Sequence, residues 1–257
     1  MTEGPSAPRY LDREWLKAHI AEERREADLL GDIREALFGM QDGIVSTLAV
    51  VSAVSGATNA SFPVLVAGIA AALAGVFSMA AGEYLSTKSQ REIYVAHIER
   101  EREEVEQRPA ESEAEVAYML EEEGLTGPAA KRVAAELARQ PAVLLKTMVE
   151  KELGIVVDEG RGALAGAVVM GVSFGLAAAI PILPFLFAPV SVAVWISVAL
   201  CAAAMLAIGV MKTRWTRRNP LLSGIEVVAL AAFASIAGFV FGSVLPTLLG
   251  VEGAPAG

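Results

Sequence analysis

Residues 37–58 read LFGMQDGIVSTLAVVSAVSGAT, an apolar stretch long enough to cross a membrane that nevertheless carries a carboxylate, Asp42. A helix rises 1.5 Å per residue against roughly 30 Å of hydrocarbon, so about 20 predominantly apolar residues mark a transmembrane span. A carboxylate at depth costs on the order of 2.5–3.5 kcal/mol on insertion scales, and such groups face a bundle interior or a water-filled path rather than lipid. Asp42 lies about one and a half turns into the span, and Gly43 beside it lets another backbone or an ion approach. The alternative is an acid at the membrane edge whose side chain reaches into the headgroups.

Four more apolar stretches follow. A second span is predicted over 62–84 after a tight turn at 59–63, and three others over 162–182, 190–211 and 221–249. Gly68, Gly75 and Gly82 recur every seven residues, and Gly162, Gly166, Gly171 and Gly175, then Gly238 and Gly242, form further stripes of small residues that permit close helix packing. Ahead of the first span, residues 10–35 set Trp15, Ile20, Leu29, Leu30 and Ile33 among charges, the pattern of an amphipathic helix at the membrane surface. Residues 1–9 read as a disordered tail. Glu226, one turn inside the last span, is either an intramembrane or an interfacial carboxylate.

The composition fits spans joined to a separate charged part: 54% of residues are hydrophobic and 20% charged, with a mean hydropathy of +0.49. A net charge of −9 argues against a nucleic-acid partner. Cys201 is the only cysteine, which excludes an intramolecular disulfide and any multi-cysteine metal site. The polar first 36 residues show no cleavable signal peptide. No Ser/His/Asp set, Cys/His pair or phosphate-binding glycine loop occurs, so the chain does not read as an enzyme. Glu14 with His19, and His97, read as helix-surface groups.

Residues 88–161 are different, with 17 Asp or Glu and 11 Lys or Arg. Four helices are predicted here. The first continues the second span as KSQREIYVAHIEREREEVEQ and stops before Pro109; the others cover 111–123, 128–139 and 141–153, separated by Gly124, Gly127, Pro141 and Gly154. Glu101 and Glu104 are three apart, and Glu111 and Glu115 four apart, so each pair shares a helical face and repels by roughly a few tenths of a kcal/mol unless a cation intervenes. Met148 and Glu152, also four apart, set a thioether beside a carboxylate. Such donors suit Fe²⁺, Mn²⁺, Co²⁺ or Zn²⁺ better than Ca²⁺ or Mg²⁺; solvated acids neutralised by neighbouring Lys or Arg are the alternative. Met79 and Glu83 share a face near the end of the second span, where a methionine is ordinary core filling or, beside an intramembrane Asp, a soft ligand.

With five spans, the N-terminus, the 88–161 loop and the 212–218 connection fall on one side and hold all 21 Lys and Arg. The positive-inside rule then places these three segments in the cytoplasm and the C-terminus outside.

QDGIVSTLAVVSAVSGA, FSMAAGEYLSTKSQ, REREEVEQRPAESEAEVAYMLEEEGL and TMVEKELGI, in that order across about residues 33–246, resemble the vacuolar iron transporter family. The order of the motifs is more specific than any one of them. The resemblance implies an all-α membrane protein with five transmembrane helices, a cytoplasmic helical metal-binding domain between helices 2 and 3, and assembly as a homodimer. It implies export of Fe²⁺, and of Mn²⁺, from the cytoplasm by proton antiport. The chain then divides into a tail and amphipathic helix (1–36), transmembrane helices 1 and 2 (37–87), the acidic metal-binding domain (88–160), transmembrane helices 3–5 (161–250) and a C-terminal tail (251–257).

By the same resemblance Asp42 and Met79 match the translocation path, to which Glu35 and Glu83 are also assigned. Glu101, Glu104, Glu115 and Glu152 match acidic ligands of the soluble domain and Met148 a thioether there; Glu111 is a further candidate ligand from its spacing to Glu115. Two positions depart from the family pattern. Ser112 stands where another glutamate can occur, flanked by Glu111 and Glu113, so the ligand is displaced or the register slips; Val149 stands where a second methionine can follow the first. Residues 1–36 are too few for a ferritin-like domain, which points to a bacterial-type member without one, multi-pass in the inner or plasma membrane. Fe²⁺ and Mn²⁺, with Zn²⁺ or Co²⁺ as further candidates, are substrates rather than permanently bound cofactors. The expected partners are divalent transition-metal ions, protons, membrane lipid and a second copy of the chain. A membrane-anchored divalent-metal sensor or buffer that does not transport is the alternative function.

Overall fold

Prolines and glycines place most of the helix ends. The computed structural model describes residues 12–152, 154, 162–216 and 219–248, with no strand among them. The tails expected over 1–9 and 251–257 lie outside the described residues, as does the side chain of Glu226. The helices are α1 (Arg13–Ala57), α2 (Ser61–Gln107), α3 (Pro109–Glu122), α4 (Gly127–Ala138), α5 (Pro141–Glu152), α6 (Ala163–Ile182), α7 (Pro184–Phe187), α8 (Val190–Thr216) and α9 (Pro220–Leu248). They divide into two units, Met1–Tyr84 with Leu164–Gly257, and Leu85–Ala163.

In the first unit, the Asp12 carboxylate caps α1 by accepting the Glu14 N–H at 3.0 Å. α1 then runs unbroken for 45 residues, about 68 Å at the helical rise. The amphipathic segment and the first span are therefore parts of one continuous helix. No proline interrupts residues 13–57, and Gly31 alone, at a cost of about 1 kcal/mol, does not stop a helix. Among the described residues four stretches are long and apolar enough to cross a membrane: α1, α2, Ala163–Phe187 and Val190–Thr213. Outward-facing side chains such as Phe77 and Trp195 are 72% and 73% exposed, which suits a hydrocarbon surround and not water. The chain is a multi-pass membrane protein.

The core of this unit joins Ile44, Leu48 and Val51 of α1 to Val64 of α2, Ala177 of α6, Phe185 of α7 and Cys201 and Met205 of α8. Glycines set the closest approaches. A Cβ on Gly238 or Gly242 of α9 would run into the Ala49 or Ala53 carbonyl of α1, and one on Gly43 into the Phe174 carbonyl of α6. Serine hydroxyls tie the bundle across helices: those of Ser52 and Ser235 lie 3.1 Å apart, and Ser197 donates to the Pro181 carbonyl at 2.9 Å. Of these four stretches α2 is the least covered, with 11% of its most apolar window buried. Of its seven-residue glycine stripe, Gly68 and Gly75 receive Val51, Ile182 and Phe174, whereas Gly82 meets nothing within 4 Å.

The second unit has its own core, in which Val105 of α2, Val116, Ala117 and Leu120 of α3, Ala130 and Ala134 of α4, and Leu144 and Met148 of α5 pack together. α3 starts at Pro109, two residues before the predicted 111, because proline is preorganised for the first helical turn and has no N–H to leave unpaired. Gly124 leaves α3 at φ +104°, a conformation that L side chains rarely adopt.

Gly242→Val, which forces a side chain against the α1 backbone, is expected to cost about 1–3 kcal/mol, read as a lower unfolding temperature in detergent. Gly31→Ala, where nothing lies within 4 Å, is expected to leave that temperature unchanged or raise it by the equivalent of up to about 1 kcal/mol.

Candidate functional site

Pro109 restricts the residue before it and cannot donate a backbone N–H, so α2 ends and the chain turns at Arg108. The Arg108 N–H donates to the Glu104 carbonyl at 2.7 Å, and the Arg108 carbonyl accepts the Glu111 and Ser112 N–H groups at 3.0 and 3.1 Å. This joint brings the last turn of α2 to the first turns of α3. One carboxylate oxygen from each of Glu104, Glu111 and Glu115 lies within 4.8 Å of the other two. First-row metal–oxygen bonds of about 2.1 Å place two ligand oxygens no more than ~4.2 Å apart, so a small side-chain adjustment converges the three on one ion.

Two more carboxylates belong to the group. Glu101 feels the charges of Glu152 on α5 and of Glu104 and Glu115. The end of α5 is held in place by Lys151, whose ammonium donates to Glu123, the C-cap of α3, at 2.5 Å. Burial, then the negative charges of Glu152, Glu104 and Glu115, push the Glu101 carboxyl above its ordinary range. Burial, then Glu104, Glu152 and Glu111, does the same to Glu115, partly opposed by Arg108. Five carboxylates predicted from sequence thus gather from three helices.

Met148 is placed differently from its spacing partner. It is 0% exposed within the apolar core, as is Val149, while Glu152 is exposed. Ser112 is also buried and turns inward, its hydroxyl donating to the Arg108 carbonyl at 3.4 Å. Glu113 lines a separate cavity with Glu121 and Lys131. Of the three neighbours Glu111, Ser112 and Glu113, it is Glu111 that joins the cluster. Sequence reasoning missed Met119, which lines a cavity of about 440 Å³ together with Glu111, Glu115 and Glu152. The signal was present, since Glu115 and Met119 are four apart on α3, the same spacing that drew notice to Met148 and Glu152.

In the membrane unit, Asp42 is half-buried on α1, and no cation pairs with it among the described residues. Its backbone carbonyl accepts the Ser46 hydroxyl at 2.6 Å. Met79 and Glu83 are half-buried on α2. Glu35 lies close enough to Glu83 for their charges to repel. Its Oε2 is buried without a hydrogen-bond partner, in space that the bare Gly166 leaves open, since a Cβ there would sit 2.8 Å from it. Thr47 likewise keeps a buried hydroxyl without a partner; a threonine in an apolar run gives no sequence signal of that. The helix-surface reading of the N-terminal histidine holds: Glu14 pairs with Lys17 at 2.9 Å, and His19 stacks on Trp15 with ring centroids 4.8 Å apart.

A bundle with several helices able to span a membrane and half-buried carboxylates among them, joined to a helical module that concentrates acids, defines a multi-pass membrane protein with an acidic helical unit. A model of the VIT family matches residues 33–243. The chain is 31% identical over 237 residues to vacuolar iron transporter 1 of Tulipa gesneriana, covering 92% of this chain and 95% of that protein. It is 35% identical over 208 residues to the vacuolar iron transporter of Centaurea cyanus, covering 80% and 85%, and 33% identical over 214 residues to vacuolar iron transporter 1 of Arabidopsis thaliana, covering 83% and 86%. The chain belongs to the VIT family; this is a family of transporters, and the protein is not an enzyme.

A carboxyl raised on folding stabilises the fold below its ordinary value, here 4.5, and that contribution is lost as pH rises through the raised value. Glu115→Gln is therefore expected to stabilise the metal-free protein at pH 7 by about 0.5 kcal/mol, from relief of like-charge pairs. Thermal unfolding between pH 4.5 and 7.5 in the presence of chelator measures it; the variant's advantage should shrink towards the acid end.

Proposed function

We propose that this protein exports Fe²⁺, and Mn²⁺, from the cytoplasm in exchange for protons. The observation that carries the reading is the convergence of Glu104, Glu111 and Glu115 within 4.8 Å, in a chain whose family relatives are named vacuolar iron transporters. Glu101 and Glu152 add charge to that cluster, and Met119, at the wall of the adjoining cavity, adds a softer donor that favours first-row transition metals over Ca²⁺ and Mg²⁺. Zn²⁺ and Co²⁺ fit the same donors.

Asp42 and Met79, with Glu35 and Glu83, are the proposed path. A carboxylate holds a proton or a metal ion but not both, so loading Asp42 with metal releases a proton and reprotonation releases the metal. α9, at 29 residues, is about 43 Å long and serves as the fifth span. The distribution of Lys and Arg then supports an N-terminus and acidic unit on the cytoplasmic side and a C-terminus outside. The sparse burial of α2 supports a homodimer in which a second copy covers this helix.

The independent core of the acidic unit favours one second reading, a membrane-anchored metal buffer that binds ions without moving them. Purified protein in liposomes loaded with a pH-sensitive dye and a metal indicator separates the two. Export predicts Fe²⁺ and Mn²⁺ flux coupled to proton movement, falling by about tenfold or more in Asp42→Ala, by analogy with the loss on perturbing a metal site. Flux that survives Asp42→Ala unchanged would remove Asp42 from the path, and binding without flux in wild type would leave the buffer.

A further inference from the structure

We propose that Arg108 is the resident counter-cation of the carboxylate cluster, displaced by an incoming divalent ion before Glu104 and Glu111 can both ligate it. The inference rests on the reading of that cluster as the place where the exported metal is first held. The Arg108 guanidinium lies 3.1 Å from a Glu104 oxygen and 2.9 Å from a Glu111 oxygen. Two of the three converging carboxylates therefore already share one cation, and its charge reaches the third, Glu115. The cluster thus holds a positive charge of its own.

The turn at this position does not need that charge. The bonds that form the joint between α2 and α3 come from the Arg108 backbone N–H and carbonyl, which any residue other than proline supplies. The side chain is 55% exposed, so each of its ion pairs is individually weak and can be exchanged. A planar guanidinium that engages two carboxylates at once is nonetheless hard for a hydrated monovalent ion to replace. A divalent ion brings twice the charge in a smaller volume and also recruits Glu115, so it displaces the guanidinium. Arg108 thereby lowers the apparent affinity for metal, excludes K⁺ and Na⁺, and neutralises the vacated carboxylates when the metal leaves.

The test is Mn²⁺ binding to the full-length protein in detergent, followed by the loss of the free-ion electron paramagnetic resonance signal, with and without 150 mM K⁺ as an experimental condition of about physiological ionic strength. Arg108→Gln is expected to bind Mn²⁺ about threefold to tenfold more tightly than wild type and to be more sensitive to K⁺. Arg108→Lys, which keeps the charge as a point and loses the planar fork, is expected to fall between them. If Arg108→Gln, eluting as wild type with the same helical circular dichroism, binds Mn²⁺ equally or more weakly, the proposal is overturned. Should that variant not fold, an Arg108→Lys affinity equal to or weaker than wild type overturns it. Glu104→Gln and Glu115→Gln separate the two levels: if they leave the Kd unchanged, the metal-centre reading fails as well, whereas if they abolish binding while Arg108→Gln matches wild type, only the role of Arg108 falls.

Discussion

Five carboxylates gathered at the junction of α2, α3 and α5 repel one another, and the acidic unit holds together because an apolar core lies beneath them. Each like-charge neighbour costs roughly a few tenths of a kcal/mol. Each fully buried aliphatic or thioether side chain stabilises by about 1.5–3 kcal/mol, and Val116, Leu144 and Met148 are all at 1% exposure or less. The core outweighs the repulsion without relieving it, so the cluster keeps its attraction for a cation. This division explains why Met148 lies inside while the acid one turn later, Glu152, stays at the surface. It also explains the clamp from Lys151 to Glu123, which holds the end of α5 against α3 next to the residue that has to stay among like charges.

In the membrane unit, backbone proximity rather than charge fixes position. α1 meets α6 at Gly39 and Gly43 and meets α9 at Gly56, Gly238 and Gly242. In each place the glycine lies so close to a carbonyl of its neighbour that no side chain fits. A residue next to Gly43 is rotated about 100° around the helix from that contact. Asp42 is therefore aimed away from the α6 backbone by the same packing that buries Gly43, and its carboxylate is left half-buried with no cation beside it among the described residues. Glu35 and Glu83, one on each of two helices, are a second place where acids are held near each other, with Arg34 beside Glu35.

Helix ends were legible in the sequence wherever a proline or glycine set them: Pro109, Gly127 and Pro141 open α3, α4 and α5 within two residues of the expected starts. The unity of α1 was not, because amphipathic patterning over 10–35 looks the same whether the helix lies on a membrane or projects from it. The pairs Glu101 with Glu104, and Glu111 with Glu115, were legible because they are local. That the two pairs face each other is a tertiary fact, set by the turn at Arg108. For Met148 the spacing of four places it near Glu152 along the helix but does not say which way the face turns, and its side chain lies in the apolar core. The apolar neighbours Leu144, Leu145 and Val149 pull that face inward. Arg108 itself gave no signal, being one basic residue among many in an acidic stretch.

The account rests on a metal ion sitting among Glu104, Glu111 and Glu115, and anomalous X-ray scattering observes that directly. Crystals of the full-length protein grown with Mn²⁺ and measured at the manganese edge should show a peak bounded by oxygens of these three residues, with Glu152 and Glu101 beside it and the Arg108 guanidinium moved away. A well-occupied peak elsewhere, or no peak with the Arg108 pairs to Glu104 and Glu111 intact at saturating Mn²⁺, would contradict it.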